Sequence, residues 1–233
     1  MRKSTSFRSL IAVLALVSIV AAGCAGDDDG GGGQEGDATG KGGGSVIDGG
    51  TFVGDPPEHI DPALNTTLDA YQLINAVFDG LTEVDTSDKD NPVTKPLVAE
   101  SFEPNADATV WTFKIRKDAV FADGEKILPS TFQKSWERAT VPDFAGDYSY
   151  LFNFIDGGKE KLDGKAQTIS GVKANDETGE LVVTLDKPYA NFATVAGFQI
   201  FNAVHSSALA KPADYENGVM IGNGPYTLAA PRS

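Results

Sequence analysis

The sequence predicts an α/β fold of the α+β kind, a mixed sheet with flanking helices, and three stretches carry that prediction. Val110 to Arg116 alternates, with Trp111, Phe113 and Ile115 on one side and Thr112, Lys114 and Arg116 on the other. That is the period of a half-buried strand. Ala70, Leu73, Ile74, Val77, Phe78 and Leu81 recur at helical spacing and predict one apolar helix face over Asp69 to Leu81. Thr168 to Ala174 and Glu180 to Leu185 flank Asn175-Asp176-Glu177-Thr178-Gly179 and read as a hairpin.

The remaining elements follow in chain order. Gly49 to Val53 looks like a first short strand, followed by a Pro- and Asp-rich loop up to Thr67. The Asp69 helix comes next, then a polar stretch from Thr82 to Asn91. After the Val110 strand, Phe121-Ala122-Asp123-Gly124 turns the chain, since Gly tolerates the backbone angles a tight turn needs. Ser130 is placed to cap a helix, with Gln133 three residues on to return the bond. Phe132, Trp136 and Ala139 then fall at helical spacing. Asp143 to Gly164 mixes aromatic and polar residues, among them Tyr148, Tyr150, Phe152 and Phe154.

The first 24 residues read as a secretory leader. Arg2, Lys3 and Arg8 form a positive start, and Leu10 to Ala22 is an apolar run. The run is shorter than the ~20 residues that span a bilayer. It ends in Ala21-Ala22-Gly23-Cys24, and Cys24 is the single cysteine of the chain, so no internal disulfide is possible. Residues 25–46 are dominated by Gly and Asp with no apolar pattern, and read as a disordered tether. Such a tether has an r.m.s. reach of roughly 25 Å. Asp27-Asp28-Asp29 within it reads as a solubilising run in preference to a cation site. Residues 47–233 hold the folded part, and the hydrophobic content of the full chain, 41%, is ordinary for a protein with a core. A net charge of −14 repels nucleic acid and anionic lipid headgroups.

Several of these stretches together resemble a known family. Ala99-Glu100-Ser101-Phe102, Trp111 to Arg116, Phe121-Ala122-Asp123-Gly124 and Ser135-Trp136 recur in the same order in the extracellular solute-binding proteins of ABC importers, family 5, the peptide and nickel class. Ile60-Asp61-Pro62, Phe78-Asp79-Gly80-Leu81, Gly171 to Leu185 and Gly222-Asn223-Gly224-Pro225-Tyr226 resemble further motifs of that family. The match departs at Ile127 to Ser130 and at Asn223, where relatives more often carry Thr. Ala21 to Cys24 resembles a lipobox, in which the cysteine is lipidated and becomes the mature N-terminus.

The resemblance implies lobe one of a bilobal periplasmic-binding-protein-like fold, incomplete here because family members are about twice this long. It implies an extracytoplasmic protein, lipid-anchored at Cys24, that captures oligopeptides or dipeptides and delivers them to permease subunits in the membrane. It also implies the site. Asn65, Thr66 and Thr67 stand where relatives put ligand-facing loop residues, and Tyr148, Ser149 and Tyr150 where oligopeptide binders place a cleft tyrosine. Asn223 and Tyr226 either line the cleft wall or support it. Other ligands of the same family, a nickel chelate, haem or sugar, remain open at this point. So do a lipid-anchored secreted hydrolase and a purely structural surface lipoprotein.

The residues offer little to an enzyme. G-x-S-x-G, H-E-x-x-H and P-loop patterns are missing. His59 and His205 lie far apart and read as loop histidines without a metal. Asp123 and Glu125 have the composition of a glycosidase pair, but Asp123-Gly124 reads as a turn. The expectation is therefore a binding protein with no cofactor, no metal and no catalytic residue.

Overall fold

The computed structural model describes residues 59–210 and 220–228. The leader, Cys24, the Gly/Asp tether and the Gly49–Val53 strand lie outside the described residues.

Helix α1 spans Leu68–Val77. Thr67 caps it, its hydroxyl accepting from the Ala70 N–H at 3.4 Å. The helix is shorter than its apolar period suggests: Phe78 is already extended. The reason is long-range. The Tyr226 and Gly224 N–H groups donate to the Ala76 and Val77 carbonyls at 3.0 and 2.8 Å, where a further helical turn would have bonded. Gly222 and Gly224 lie so close to the Val77 backbone that a side chain at either would clash with it.

The polar stretch that follows is not featureless. Strand β1 (Thr82–Asp85) pairs antiparallel with β2 (Val93–Pro96). Strands β3 (Ala99–Pro104), β4 (Val110–Ile115), β5 (Val172–Asn175) and β6 (Glu180–Thr184) form a second sheet in the order β3-β4-β6-β5. Every strand pairing among the described residues is antiparallel, where the sequence predicts a mixed sheet. Short turns join β3 to β4 and β5 to β6, and parallel pairing needs a longer crossover. The alternation in β4 is as expected: Trp111, Phe113 and Ile115 are buried.

Helix α2 spans Pro129–Ala139. Its start differs from the Ser130 cap. Pro129 occupies the first helical position, where a missing N–H costs nothing. The cap position is Leu128, whose N–H donates to Thr131 Oγ1 at 3.0 Å. Ser130 sits inside the first turn and its N–H donates to Asp176 Oδ1 at 2.9 Å, on the β5–β6 turn. One face of α2 buries Phe132, Trp136 and Ala139 against the second sheet. Burial of a side chain such as Phe132 contributes about 1.5–3 kcal/mol.

The aromatic stretch forms a 3-10 helix, Asp147–Phe154, leading into α3 (Gly158–Leu162). After the β5–β6 hairpin come α4 (Phe192–Ala196), a 3-10 turn Gln199–Phe201 and α5 (Ser206–Ala210). Two apolar cores result. The larger joins the second sheet to α2, Phe152, Phe192 and Phe201. The smaller joins Ile74 and Val77 of α1 and Phe78 just beyond it to Ile60, Val204, Ala208 and Met220.

Candidate ligand-binding surface

The loop before α1 is held from beneath. Asp61 accepts from the Ala63 N–H at 2.9 Å through Oδ1, and its backbone oxygen accepts from Leu64 and Asn65 at 3.0 Å each. Asp61 also forms a fully buried, two-pronged pair with Arg138 of α2, and the Arg138 guanidinium lies 4.2 Å over the Phe144 ring. A buried charge keeps this position only when paired and hydrogen-bonded. The Ile60-Asp61-Pro62 motif is thus the foundation of the loop.

Asn65 completes that foundation. It is 3% exposed. Its Nδ2 donates to Gln199 Oε1 at 3.0 Å, and Gln199 Nε2 donates back to the Asn65 carbonyl at 3.1 Å. Its Oδ1 accepts from the Thr67 N–H at 2.8 Å. The Asn65 side chain is therefore occupied within the protein. Thr66 and Thr67 face solvent, followed by Leu68, which is 69% exposed. Among the described residues, the Thr66 N–H and C=O make no hydrogen bond.

The tyrosine stretch is brought to the same place. Gly146 packs so tightly on the Ala63 carbonyl and Leu64 that no side chain fits there. This seats Asp147–Phe154 against the loop. The Tyr148 ring meets Phe198 edge-on at 5.1 Å between centroids, and Tyr71 of α1 stacks on Phe198 at 5.9 Å. Ser149 is half-buried and Tyr150 is 56% exposed. Two sequence-predicted groups, Asn65 to Thr67 and Tyr148 to Tyr150, so converge over Phe198 and Gln199.

Asn223 and Tyr226 do not join them. They lie at the far end of α1, about 15 Å along a helix of this length. Asn223 Oδ1 accepts from the Asp79 N–H at 3.2 Å and its Nδ2 donates to the Asp79 carbonyl at 3.1 Å. Asn223 clamps the chain just beyond α1, and Tyr226 contributes its backbone N–H to the helix end. The role visible for both is support.

A cleft of about 560 Å³ opens beyond Tyr71 and Phe198, lined also by Asn75, Phe78, Asp79, Thr82, Glu83 and Thr194. Burial raises the Asp79 pKa from its ordinary value, and the nearby Glu83 charge raises it further, while Arg116 opposes both. Tyr71, Asp79, Phe198 and Gln199 were not among the residues the sequence singles out for the site. Phe78-Asp79-Gly80-Leu81 is visible as a motif, but Phe198-Gln199 carries no local signal.

His205 lies in the loop before α5, as the sequence suggests, and is buried there. It is 7% exposed. Its Nε2 lies 3.0 Å from Asp123 Oδ2 and 2.9 Å from Glu125 Oε2, and its Nδ1 lies 2.9 Å from Ser207 Oγ. The two carboxylates thus pin the turn to the start of α5. The turn itself forms as expected, with Gly124 at φ 93 and its N–H donating to the Phe121 carbonyl at 2.9 Å. Bonding from the Glu125 N–H holds the Asp123 carboxyl below its usual range. Among the described residues no group of three or more His, Cys, Asp or Glu side chains is arranged to hold a metal ion.

An exposed, partly aromatic surface with free backbone polar groups is the kind of surface on which a binding protein holds its ligand. The chain belongs to the bacterial extracellular solute-binding proteins, family 5, whose family model matches residues 93–231. The family and the relatives named here are binding proteins, not enzymes. The chain is 36% identical over 180 residues to the periplasmic oligopeptide-binding protein OppA of Escherichia coli (strain K12), covering 75% of this chain and 32% of that protein. Among solved structures, the Escherichia coli murein tripeptide binding protein MppA superposes with TM-score 0.68 at 29% identity, covering 77% of this chain and 35% of that one. Listeria monocytogenes OppA bound to peptide superposes with TM-score 0.65 at 29% identity, covering 72% and 33%. These neighbours are bilobal binding proteins of which this chain matches one part, and it spans about a third of the length of the curated relatives.

Proposed function

We propose that this chain carries one wall of the peptide site in a substrate-binding lipoprotein of an ABC importer. The protein captures oligopeptides or dipeptides outside the membrane and hands them to the permease. Cys24 carries the lipid anchor, and residues 25–46 are the leash that lets the binding lobe move between solute and permease. Closure of a second lobe over the peptide is the hinge step that completes the site.

One observation carries this reading: the exposed Thr66 peptide group makes no hydrogen bond among the described residues, and the loop that carries it packs at Ala63 and Leu64 against the segment that leads into Tyr148 to Tyr150. A peptide that lies extended there gains main-chain hydrogen bonds like an added strand, and its side chains meet aromatic surface. Each bond in water contributes about 0.5–1.5 kcal/mol net. One wall alone therefore binds weakly, with a dissociation constant of roughly millimolar order.

The test is an amide NMR titration of the chain with tri-alanine. The expected result is weak, saturable shifts at Thr66, Thr67, Leu68, Tyr148 and Tyr150. Shifts elsewhere, or none at concentrations of about 10 mM, overturn the reading.

A further inference from the structure

Asn65 and Gln199 stand 134 residues apart in the chain and pair their side chains in the interior, 3% and 1% exposed. Every polar atom of Asn65 is engaged there. Its N–H donates to the Asp61 carbonyl at 3.0 Å, and its Nδ2 to Gln199 Oε1 at 3.0 Å. Its carbonyl accepts from Gln199 Nε2 at 3.1 Å, and its Oδ1 from the Thr67 N–H at 2.8 Å. Thr67 is committed in turn. Its carbonyl accepts from the Tyr71 N–H at 3.0 Å, and its hydroxyl caps α1. Thr66, between these two residues, keeps an N–H and a C=O with no hydrogen bond among the described residues.

The Gln199 head sets the direction of this chain of bonds. The Asn65 carbonyl only accepts, so it takes the Nε2 donor and leaves Oε1 for Asn65 Nδ2. With Nδ2 so engaged, Asn65 Oδ1 is the atom left for the Thr67 N–H. Gln199 is itself firmly placed. It opens the 3-10 turn Gln199–Phe201, whose Ile200 and Phe201 are buried in the larger core. The Phe201 carbonyl accepts from Trp136 Nε1 of α2 at 2.8 Å. The residue before Gln199 is Phe198, whose ring meets Tyr148 and Tyr71. One short segment thus holds both the Thr66 loop and the tyrosine stretch.

We propose that Gln199 is a positioning residue of the binding wall. It is buried and touches no ligand. It acts through Asn65, fixing the loop so that the Thr66 N–H and C=O stay free for the backbone of an extended peptide. A carboxamide suits this task because one planar head must accept and donate at once. A carboxylate of the same shape only accepts, and it sets an oxygen against the Asn65 carbonyl. A protonated carboxyl restores the donor. The effect on affinity rests on the peptide-binding reading above, and the effect on the loop does not.

The experiment compares the parent chain with Gln199→Met and Gln199→Glu by amide NMR, at about pH 8 and about pH 5. Burial raises the pKa of an introduced carboxyl, so it holds its proton at the lower pH. The parent, run at both, accounts for the native titrating groups and for the ligand. Two quantities are read: the dissociation constant of tri-alanine, and, without ligand, the temperature coefficient of the Thr67 amide, which is small while that N–H is bonded. Gln199→Met has no donor at any pH. It is expected to weaken tri-alanine roughly fivefold at both pH values and to raise the Thr67 coefficient. Gln199→Glu is expected to do the same at the higher pH and to return to the parent values at the lower one. Should the introduced carboxyl unfold the chain at the higher pH, which the spectrum reports, Gln199→Met carries the test there. If the parent gives no shift with tri-alanine, the peptide reading falls and the Thr67 coefficients decide the proposal. A role in stability alone lowers the urea midpoint and leaves both quantities at parent values in the folded chain. That result with Gln199→Met overturns the proposal, as does a loss with Gln199→Glu that the lower pH fails to reverse.

Discussion

Asp79 shows how one residue is set by opposing effects. Its backbone N–H and carbonyl both bond to Asn223, and it lines the cleft half-buried. Burial comes first in raising its pKa, Glu83 second, and Arg116 opposes them. The sign of the consequence follows from linkage. A carboxyl whose pKa is raised on folding contributes stability below its unfolded pKa, and that contribution is lost as pH rises through the folded value. At neutral pH the ionised Asp79 therefore weakens the fold. Asp79→Asn removes the penalty, so the variant has a higher urea midpoint than the parent at about pH 7, and the difference closes near pH 3. Equal midpoints at neutral pH show that the carboxyl is better solvated than the cleft implies.

Helix α1 is the element on which the site depends. It carries Thr67 and Leu68 at its start, Tyr71 and Asn75 along one face, and leads to Asp79 at its end. Its opposite face fixes its position through Ile74, Val77 and Phe78 in the smaller core. Phe78 is 3% exposed, so Phe78→Ala is expected to cost about 3–5 kcal/mol, read by denaturant unfolding. A loss below about 1 kcal/mol places that face outside the core. The face was legible in the sequence because a helix buries residues at a fixed period. The end of the helix was not, because Gly224 and Tyr226, distant in the chain, replace its last turn. The start of α2 teaches the same lesson. Ser130 has the right chemistry for a cap, but Pro129 claims the first helical position and Asp176 takes the Ser130 amide.

At the scale of the whole molecule, the proposed function couples a folded lobe to a membrane through a long tether. The anchor is predicted from Cys24 alone, the one cysteine, which follows an apolar run and small residues. Cys24→Ala is expected to abolish metabolic labelling with palmitate and to release the protein from membranes. Unchanged labelling and unchanged fractionation refute the anchor while leaving the binding wall untouched.

The sequence by itself determined the class of fold, the family and the inward faces of β4, α1 and α2. These depend on local periodicity and on motif order, which a single chain displays directly. The tertiary structure alone decided which candidate polar side chains are already occupied within the protein. Asn65 and Asn223 look alike as candidates, yet the fold occupies one with Gln199 and the other with the Asp79 backbone. His205 and Asp123 lie 82 residues apart in the numbering and meet at 3.0 Å. A polar side chain is free or occupied according to partners brought from far along the chain, and no local pattern records those partners.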